Sequence, residues 1–330
     1  MSRYKLIQSL TLMFGVILAA VVLSQLPVSS IKHSVSGLSV SQWLAWTVLN
    51  LIIIAAYGLR WFVLIKPLNL SVNYFQLLLI RQAGQAISFI TPGPQFGGEP
   101  LQVFWLWKKF SSPGQSALLA VALDRFYELW VNFVVLLFGI LILLSSPAVN
   151  YADWKSLGGI LILLITLLTL MGWILIHKRQ RVAGWIKRLG SRWKLNANLH
   201  DLDTHWNSMS RQLEDIVTQN KRILVLAFIV SILGWVGMLM EIGLLLSFFK
   251  ISLSFSSFVF LLVAIRLAFL LPLPGGIGTL EAAVFWAFLS LELPATAAIG
   301  IIALMRLRDG VVLIANIASL RGLRIESKTS

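Results

Sequence analysis

The stretch "TPGPQFGGEP" at residues 91–100 interrupts a segment that is otherwise long and apolar. A second stretch, "LPLPGGIGTLE" at residues 271–281, interrupts another apolar segment in the later part of the chain. In both stretches a Pro-Gly pair is followed, after five residues, by a glutamate, Glu99 or Glu281. Because proline and glycine break helices, each segment is predicted to form two helical arms joined by a turn.

The composition is that of an all-α polytopic membrane protein. Of the 330 residues, 58% are hydrophobic and only 12% are charged, which excludes an ordinary soluble domain. A helix needs about 20 apolar residues to cross a bilayer. Six such spans are predicted, at 5–26, 42–65, 115–145, 156–177, 222–248 and 294–320. The first is interpreted as a retained span, since its apolar core is longer than that of a signal peptide.

The basic residues predict how the chain crosses the membrane. The net charge is +14, and the Lys and Arg residues are concentrated in the loops between spans, which favours a membrane protein over one that binds nucleic acid. Both termini, the Arg60–Lys66 region and the linker 178–221 are assigned to the cytoplasm of a multi-pass cell-membrane protein. The two broken segments, 75–109 and 256–292, must then be re-entrant hairpins that enter and leave on one side.

This topology divides a single transmembrane domain into two similar halves. Residues 42–145 contain a span, a hairpin and a span, and residues 222–320 contain the same order upside down. Such an inverted-topology repeat with broken helices at matching positions is typical of transporters. Small residues in the spans permit close helix packing, which would serve either a homodimer or the bundle itself; they are Gly234, Gly237, Ala315 and Ala318.

Charged residues within the spans and hairpins are the candidate substrate-binding site, because charges at membrane depth are costly and usually face a cavity. The broken turns contribute glycines, which let a ligand approach the backbone, and helix N-termini, which bind anions such as phosphate. The full predicted set is Arg81, Pro92, Gly93, Gly97, Gly98, Glu99, Asp124, Arg125, Glu128, Glu241, Arg266, Pro274, Gly275, Gly276, Gly278, Glu281, Arg306, Arg308 and Asp309.

Two structural alternatives apply to these residues. Arg125–Glu128 and Arg306–Asp309 are spaced i, i+3, so they can pair on one helix face without any ligand. Glu99 and Glu281 can cap the helices that they open. No catalytic residue is assigned. The chain has no cysteine and its four histidines lack metal-ligand spacing, so no metal or other cofactor is expected.

The linker 178–221 interleaves tryptophans with basic residues, as in "HKRQRVAGWIKRLGSRWKL". This composition fits a helix on an anionic membrane surface. It also fits a basic loop on the cytoplasmic side.

The stretches "TPGPQFGGEPLQVFWL" and "LPLPGGIGTLEAAVF" resemble the flippase-like transmembrane domain of lysylphosphatidylglycerol synthases, the membrane half of the bacterial multiple peptide resistance factor. The resemblance implies movement of a phospholipid between leaflets, with Glu99 and Glu281 beside the lipid path. The sequence ends about ten residues after the last predicted span, at "RGLRIESKTS", so no transferase domain is expected and the synthase reaction is not carried over.

The sequence thus favours a lipid transporter or flippase for an anionic, aminoacylated or polyprenyl-phosphate-linked lipid. An ATP-driven pump is disfavoured, since no phosphate-binding GxxxxGK[ST] motif is present. One alternative is a membrane enzyme acting on a lipid-linked phosphate or sugar. Another is a non-catalytic partner of a separate lipid-modifying enzyme. Membrane lipids are the expected partners in all three cases.

Overall fold

A computed structural model describes residues 37–91, 97–145, 154–177, 199–271 and 273–323. The predicted span 5–26 and the Pro92-Gly93 pair lie outside these residues. Within them the chain forms ten α-helices and no strand, which confirms the all-α class. The helices are α1 (Val40–Ile65), α2 (Tyr74–Ile90), α3 (Glu99–Phe104), α4 (Gly114–Leu144), α5 (Trp154–His177), α6 (Leu199–Gln219), α7 (Lys221–Phe248), α8 (Phe255–Ala268), α9 (Thr279–Ser290) and α10 (Ala295–Gly322).

Among the described residues, four helices are long and apolar enough to cross a membrane: α1 with the 3-10 turn that follows it, α4, α5 and α7. They match four of the predicted spans to within a few residues. Helix α10 has 28 residues, as many as α7, but it carries Arg306, Arg308 and Asp309 near its middle. Helices α8 and α9 have 14 and 12 residues, about 20 Å each, which is too short to cross alone.

Side-chain caps fix where several helices begin. At the start of α2, the Asn73 side chain accepts a hydrogen bond from the Gln76 amide at 2.9 Å, and the Gln76 side chain accepts one from the Asn73 amide at 3.0 Å. Ser39 and Gln42 make the same reciprocal pair before α1. These bonds satisfy N–H groups that have no partner within the helix. The polar residues before each apolar run therefore determine where the helix begins.

Both predicted breaks fall where the Pro/Gly stretches lie. In the second, Gly275, Gly276 and Gly278 have φ values of 58°, 62° and 83°, a left-handed backbone that favours glycine. In the first, a Cβ atom on Gly98 would collide with the backbone carbonyl of Gly84 on α2. The glycines therefore allow the chain to turn sharply in one hairpin and allow the two arms to touch in the other.

Several helix contacts of the first half have a counterpart in the second half. Helix α1 packs on α7, its counterpart in the second half. Helix α2, the first arm of the first hairpin, packs on α10. Helix α8, the first arm of the second hairpin, packs on α4. The two arms of each hairpin, α2–α3 and α8–α9, also contact each other, and the second arms lie on α4 and α10 respectively. These contacts agree with a repeat, although the inverted orientation of the halves in the membrane stays a prediction.

Two of the small residues singled out in the spans serve the contact between α1 and α7. A Cβ on Gly237 would lie 2.8 Å from the Ile53 side chain, and one on Gly234 would lie 3.2 Å from the ring of Tyr57. Ala315 and Ala318 on α10 are exposed instead. The glycines thus belong to the bundle itself.

The apolar interior forms a large cluster centred on α4, α7, α8, α9 and α10 and a second one on α1 to α4. Helix α6, in the later part of the basic linker region, contributes the buried side chain of Ile216 to the second cluster. It packs on α4, α5 and α7, and Ser116 donates a hydrogen bond to Gln212 at 3.1 Å. This half of the linker region is therefore part of the bundle, whereas residues 178–198 are outside the described residues.

Candidate functional site

A buried carboxylate, Asp124 on α4, joins the three main helices of the first half. It is 3% exposed and lies 2.8 Å from a terminal nitrogen of Arg60 on α1 and 2.6 Å from one of Arg81 on α2. Arg60 also donates to Asp124 through its Nε at 2.9 Å. Both arginines are buried, and Asp124 is the carboxylate nearest to each of them among the described residues, so it supplies most of the compensation for their charge.

A second carboxylate extends this cluster along α4. Glu128, one turn after Asp124, lies 2.9 Å from Arg125, 3.4 Å from Arg60 and 3.6 Å from Arg81. Arg125 also forms an ion pair with Glu99 at 2.8 Å, and the Gly97 amide donates to Glu99 at 2.7 Å. Glu99 therefore supports its own helix start and ties that start to α4.

The second broken turn is held in a similar way by Arg306 on α10. Its guanidinium donates to Glu281 at 2.6 and 2.9 Å, and to the carbonyls of Gly275 and Gly276, both at 2.9 Å. The Gly278 amide donates to Glu281 at 2.8 Å. A guanidinium suits this position because its fork of N–H groups reaches a carboxylate and two carbonyls together.

Next to Arg306, the neighbouring Arg308 links α10 to α7. It donates to Glu241 on α7 at 2.7 Å and to Asp309 at 2.8 and 3.1 Å. Glu241 also accepts hydrogen bonds from the side chains of Trp46 and Asn50 on α1, each at 3.2 Å. These contacts connect α1, α7 and α10 through one buried carboxylate.

The two predicted i, i+3 pairs form in the structure. Arg125 contacts Glu128 at 2.9 Å, and Arg306 contacts Asp309 at 3.3 Å. In each half the arginine of the pair also holds the glutamate that follows the broken turn. The structural alternatives of ion pairing and helix capping are thus realised at these positions.

A cavity of about 340 Å³ lies between the two ion clusters. Side chains from α1, α2, α4, α7, α8 and α10 line it. Its charged lining consists of five arginines and three acids: Arg60, Arg81, Arg125, Arg266, Arg308, Glu128, Glu241 and Asp309. Its neutral polar lining includes five amides: Asn50, Gln82, Gln85, Asn132 and Asn316. Apolar residues complete the walls, so the space combines polar and apolar surface.

The predicted residues divide into three groups in the structure. Those that line the cavity are Arg81, Arg125, Glu128, Glu241, Arg266, Arg308 and Asp309. Those that lie behind the lining, in the turns or in ion pairs, are Gly97, Gly98, Glu99, Asp124, Gly275, Gly276, Gly278, Glu281 and Arg306. Pro92 and Gly93 are outside the described residues, and of Pro274 only the backbone is described.

Arg60 belongs to the site but was not predicted there. In the sequence it counted, with Lys66, only as a positive charge on the cytoplasmic side; in the structure its side chain is 1% exposed and belongs to the Asp124 cluster. The cavity amides were also missed, because only charged residues and the prolines and glycines of the broken turns were selected as candidates. A signal was present, since Gln85 follows Arg81 by one helical turn and Asn132 follows Glu128 by one turn, which continues a polar face.

Arg266 differs from the other arginines of the cavity. It forms no ion pair with any carboxylate in the described part of the chain, and its Nε is buried without a hydrogen-bond partner. Its guanidinium lies over the face of Trp235, 4.4 Å from the ring centre. Within the same part of the chain, no group of three or more His, Cys, Asp or Glu side chains is arranged to hold a metal ion.

Comparisons with known proteins agree with this architecture. The profile of the lysylphosphatidylglycerol synthase transmembrane region matches residues 8–315. A UPF0104 membrane protein of Methanothermobacter thermautotrophicus is 24% identical over 245 residues, 71% of each chain. Another, from Methanocaldococcus jannaschii, is 24% identical over 272 residues, 79% of this chain and 78% of the relative. No solved structure is significantly similar. The chain therefore belongs to the family of the lysylphosphatidylglycerol synthase transmembrane region.

Proposed function

We propose that this protein moves an anionic lipid between the two leaflets of a cell membrane, with the lipid headgroup passing through the central cavity. The observation that carries the proposal is the cavity itself, in which five arginines and three acids face an open space of about 340 Å³ inside an apolar bundle. A bundle that needed only to stay folded would gain little from so many charges at its centre, since burying an ion pair is seldom stabilising.

The size of the cavity favours a headgroup over a whole lipid. Small-molecule pockets span about 300–1,000 Å³, and this one lies near the lower limit. Two acyl chains would not fit beside a headgroup there. The polar end of the lipid would occupy the cavity while its chains remain in the apolar surroundings, where α1, α5 and α7 expose many large apolar side chains. This division removes the main barrier to leaflet exchange, which is the cost of taking the headgroup through hydrocarbon.

The broken turns have a supporting role in this proposal. Glu99 and Glu281 connect the two turns to Arg125 and Arg306 on the long helices α4 and α10. Helices broken near the substrate site are typical of transporters that expose one site to either side in turn. Each turn is thereby coupled to a long helix, so movement of a hairpin would be transmitted to the cavity wall.

No ATP-binding motif occurs in the sequence, so the proposed movement is either passive or driven by an ion gradient. The location in the cell membrane and the cytoplasmic position of both termini are part of the same proposal. Membrane lipids would be the partners, and a separate lipid-modifying enzyme would supply the substrate if that lipid is a modified one.

Leaflet exchange in proteoliposomes tests the proposal. Fluorescent phosphatidylglycerol in the inner leaflet would become accessible to an external quencher when the protein is present. Asn132→Trp, which fills the cavity at a residue with no hydrogen bond in the described part of the chain, is expected to abolish the exchange. Ala318→Trp, on an exposed face of α10, is the matched control and should exchange like the wild type.

Two results would overturn the proposal. One is an exchange rate no higher than that of protein-free vesicles for every anionic lipid tried. The other is an Asn132→Trp protein that exchanges as fast as the control. If lipid is instead converted to a new product in detergent, where no leaflets exist, the alternative of a membrane enzyme replaces the transporter.

A further inference from the structure

The distribution of free and occupied charges around the cavity predicts which headgroup it accepts. Each of the three acids in the lining is already engaged by donors of the protein. Glu128 lies within 3.6 Å of three arginines, Arg308 holds both Glu241 and Asp309, and Glu241 accepts two further hydrogen bonds. An ammonium group of a ligand would have to displace an arginine to reach any of these carboxylates.

The cation in the lining without a carboxylate partner among the described residues is Arg266. The Tyr57 hydroxyl is its side-chain hydrogen-bond partner, and it also interacts electrostatically with the like-charged Arg308 and with Glu128, which is shared with three other arginines. The guanidinium lies on the face of Trp235, its buried Nε has no hydrogen-bond partner, and no carboxylate in the described part of the chain pairs with it. It can therefore still donate hydrogen bonds to one anionic group. A phosphate oxygen suits it well, since guanidinium–phosphate contacts are short and charge-assisted.

Two amides of the lining are also free. Gln85 on α2 and Asn132 on α4 have no side-chain hydrogen bond within the described residues, unlike Gln82, which donates to Asn316 at 2.9 Å. An amide has both donors and an acceptor. It can therefore hydrogen-bond a hydroxyl group in either direction, but it gives an ammonium group only a neutral oxygen.

We infer that the cavity binds an anionic lipid through its phosphate at Arg266 and through headgroup hydroxyls at Gln85 and Asn132, and that it discriminates against aminoacylated headgroups. The inference rests on the proposed function and narrows its substrate class to phosphate lipids with glycerol-like or sugar-like headgroups. A lysyl or alanyl ester adds positive charge to the headgroup, and the lining, as far as the structure describes it, offers no carboxylate that is free to receive that charge.

Binding in detergent tests this inference separately from transport. The purified protein would be titrated with short-chain phosphatidylglycerol, its lysyl ester and phosphatidic acid, and binding would be measured by native mass spectrometry. Phosphatidylglycerol is expected to bind about tenfold or more tightly than the lysyl ester, the factor set by one charged interaction. Arg266→Gln should weaken the binding of phosphatidylglycerol and of phosphatidic acid by a similar factor. Arg266→Lys should retain part of the affinity for both lipids.

The amides give a second, independent arm. The double substitution Gln85→Leu and Asn132→Leu is expected to weaken the binding of phosphatidylglycerol several-fold. The binding of phosphatidic acid, which has no glycerol hydroxyl in its headgroup, should be unchanged. Arg222→Gln is the control for the loss of one positive charge, because Arg222 is exposed at the start of α7. Circular dichroism and gel filtration would confirm that each variant is folded.

Three results would overturn the inference: equal or tighter binding of the lysyl ester, an Arg266→Gln protein with unchanged affinity, or glycerol 3-phosphate binding as tightly as the lipid. The last would indicate a soluble phosphate ester as the ligand. Selective lipid binding without leaflet exchange would refute the proposed transport and leave the site intact. Leaflet exchange with no preference against the lysyl ester would refute only the selectivity.

Discussion

Neutralising Asp124 should destabilise the bundle more than any other single change of a carboxylate to its amide. Three short contacts at 2.6–2.9 Å join Asp124 to Arg60 and Arg81, and both arginines are almost fully buried. In Asp124→Asn the nearest remaining carboxylate is that of Glu128, at 3.4 Å from Arg60 and 3.6 Å from Arg81, and Arg125 already occupies it.

The expected size of the effect follows from these distances. Removing one partner of a buried ion pair costs about 3–5 kcal/mol, because the other charge is left without compensation. Two arginines are affected here, but the asparagine oxygen still accepts one hydrogen bond and Glu128 still attracts both cations. We therefore expect the free energy of unfolding to fall by about 3 kcal/mol.

Equilibrium unfolding in mixed micelles, followed by circular dichroism, would measure this loss. Glu292→Gln is the matched control, since Glu292 is exposed and should change stability by no more than about 0.5 kcal/mol. Combining Asp124→Asn with Arg81→Met should cost less than the sum of the single changes, because the second removes a cation that the first had left unpaired. A loss below about 1 kcal/mol for Asp124→Asn would refute the role assigned to this carboxylate.

Two further predictions concern the broken turns and use the same unfolding measurement. Gly98→Ala should destabilise the protein by about 1–3 kcal/mol, because the new Cβ meets the Gly84 carbonyl. Gly159→Ala should not destabilise it, because a Cβ at Gly159 has no other atom within 4 Å. Equal effects of the two substitutions would contradict the tight approach of the arms. Arg306→Lys should lower the free energy of unfolding by about 2 kcal/mol, because an ammonium group cannot hold Glu281 and two backbone carbonyls together. An unchanged stability would show that the turn does not depend on the guanidinium.

Much of the fold could be predicted because its signals are local. Apolar runs marked the long helices α1, α4, α5, α7 and α10, and proline and glycine marked both breaks, whereas the polar helix α6 fell within the predicted linker. The Glu99–Arg125 and Glu281–Arg306 contacts were not predicted as such, although all four residues were selected as charges within apolar segments. The two glutamates follow their turns at the same distance, and Arg125 and Arg306 follow these glutamates by 26 and 25 residues, which was a local signal for a shared role.

The remaining features depend on contacts between distant parts of the chain. Arg60 lies 64 residues before Asp124, and nothing near Arg60 in the sequence distinguishes a buried ion-pair partner from a charge at a helix end. Gln85 and Asn132 acquire their significance only when α2 and α4 face the same space. Similarly, Arg266 stands out because carboxylates pair with its neighbours and not with it, which only the three-dimensional arrangement reveals.

The most direct test of the central claim uses the absence of cysteine from the natural sequence. Asn132→Cys would place one thiol in the cavity, and Ala318→Cys would place one on the exposed face of α10 as the control. A bulky thiol reagent should stop leaflet exchange only in Asn132→Cys, and phosphatidylglycerol should slow that labelling. If fully labelled Asn132→Cys protein still exchanges lipid at the unlabelled rate, the headgroup does not pass through this cavity.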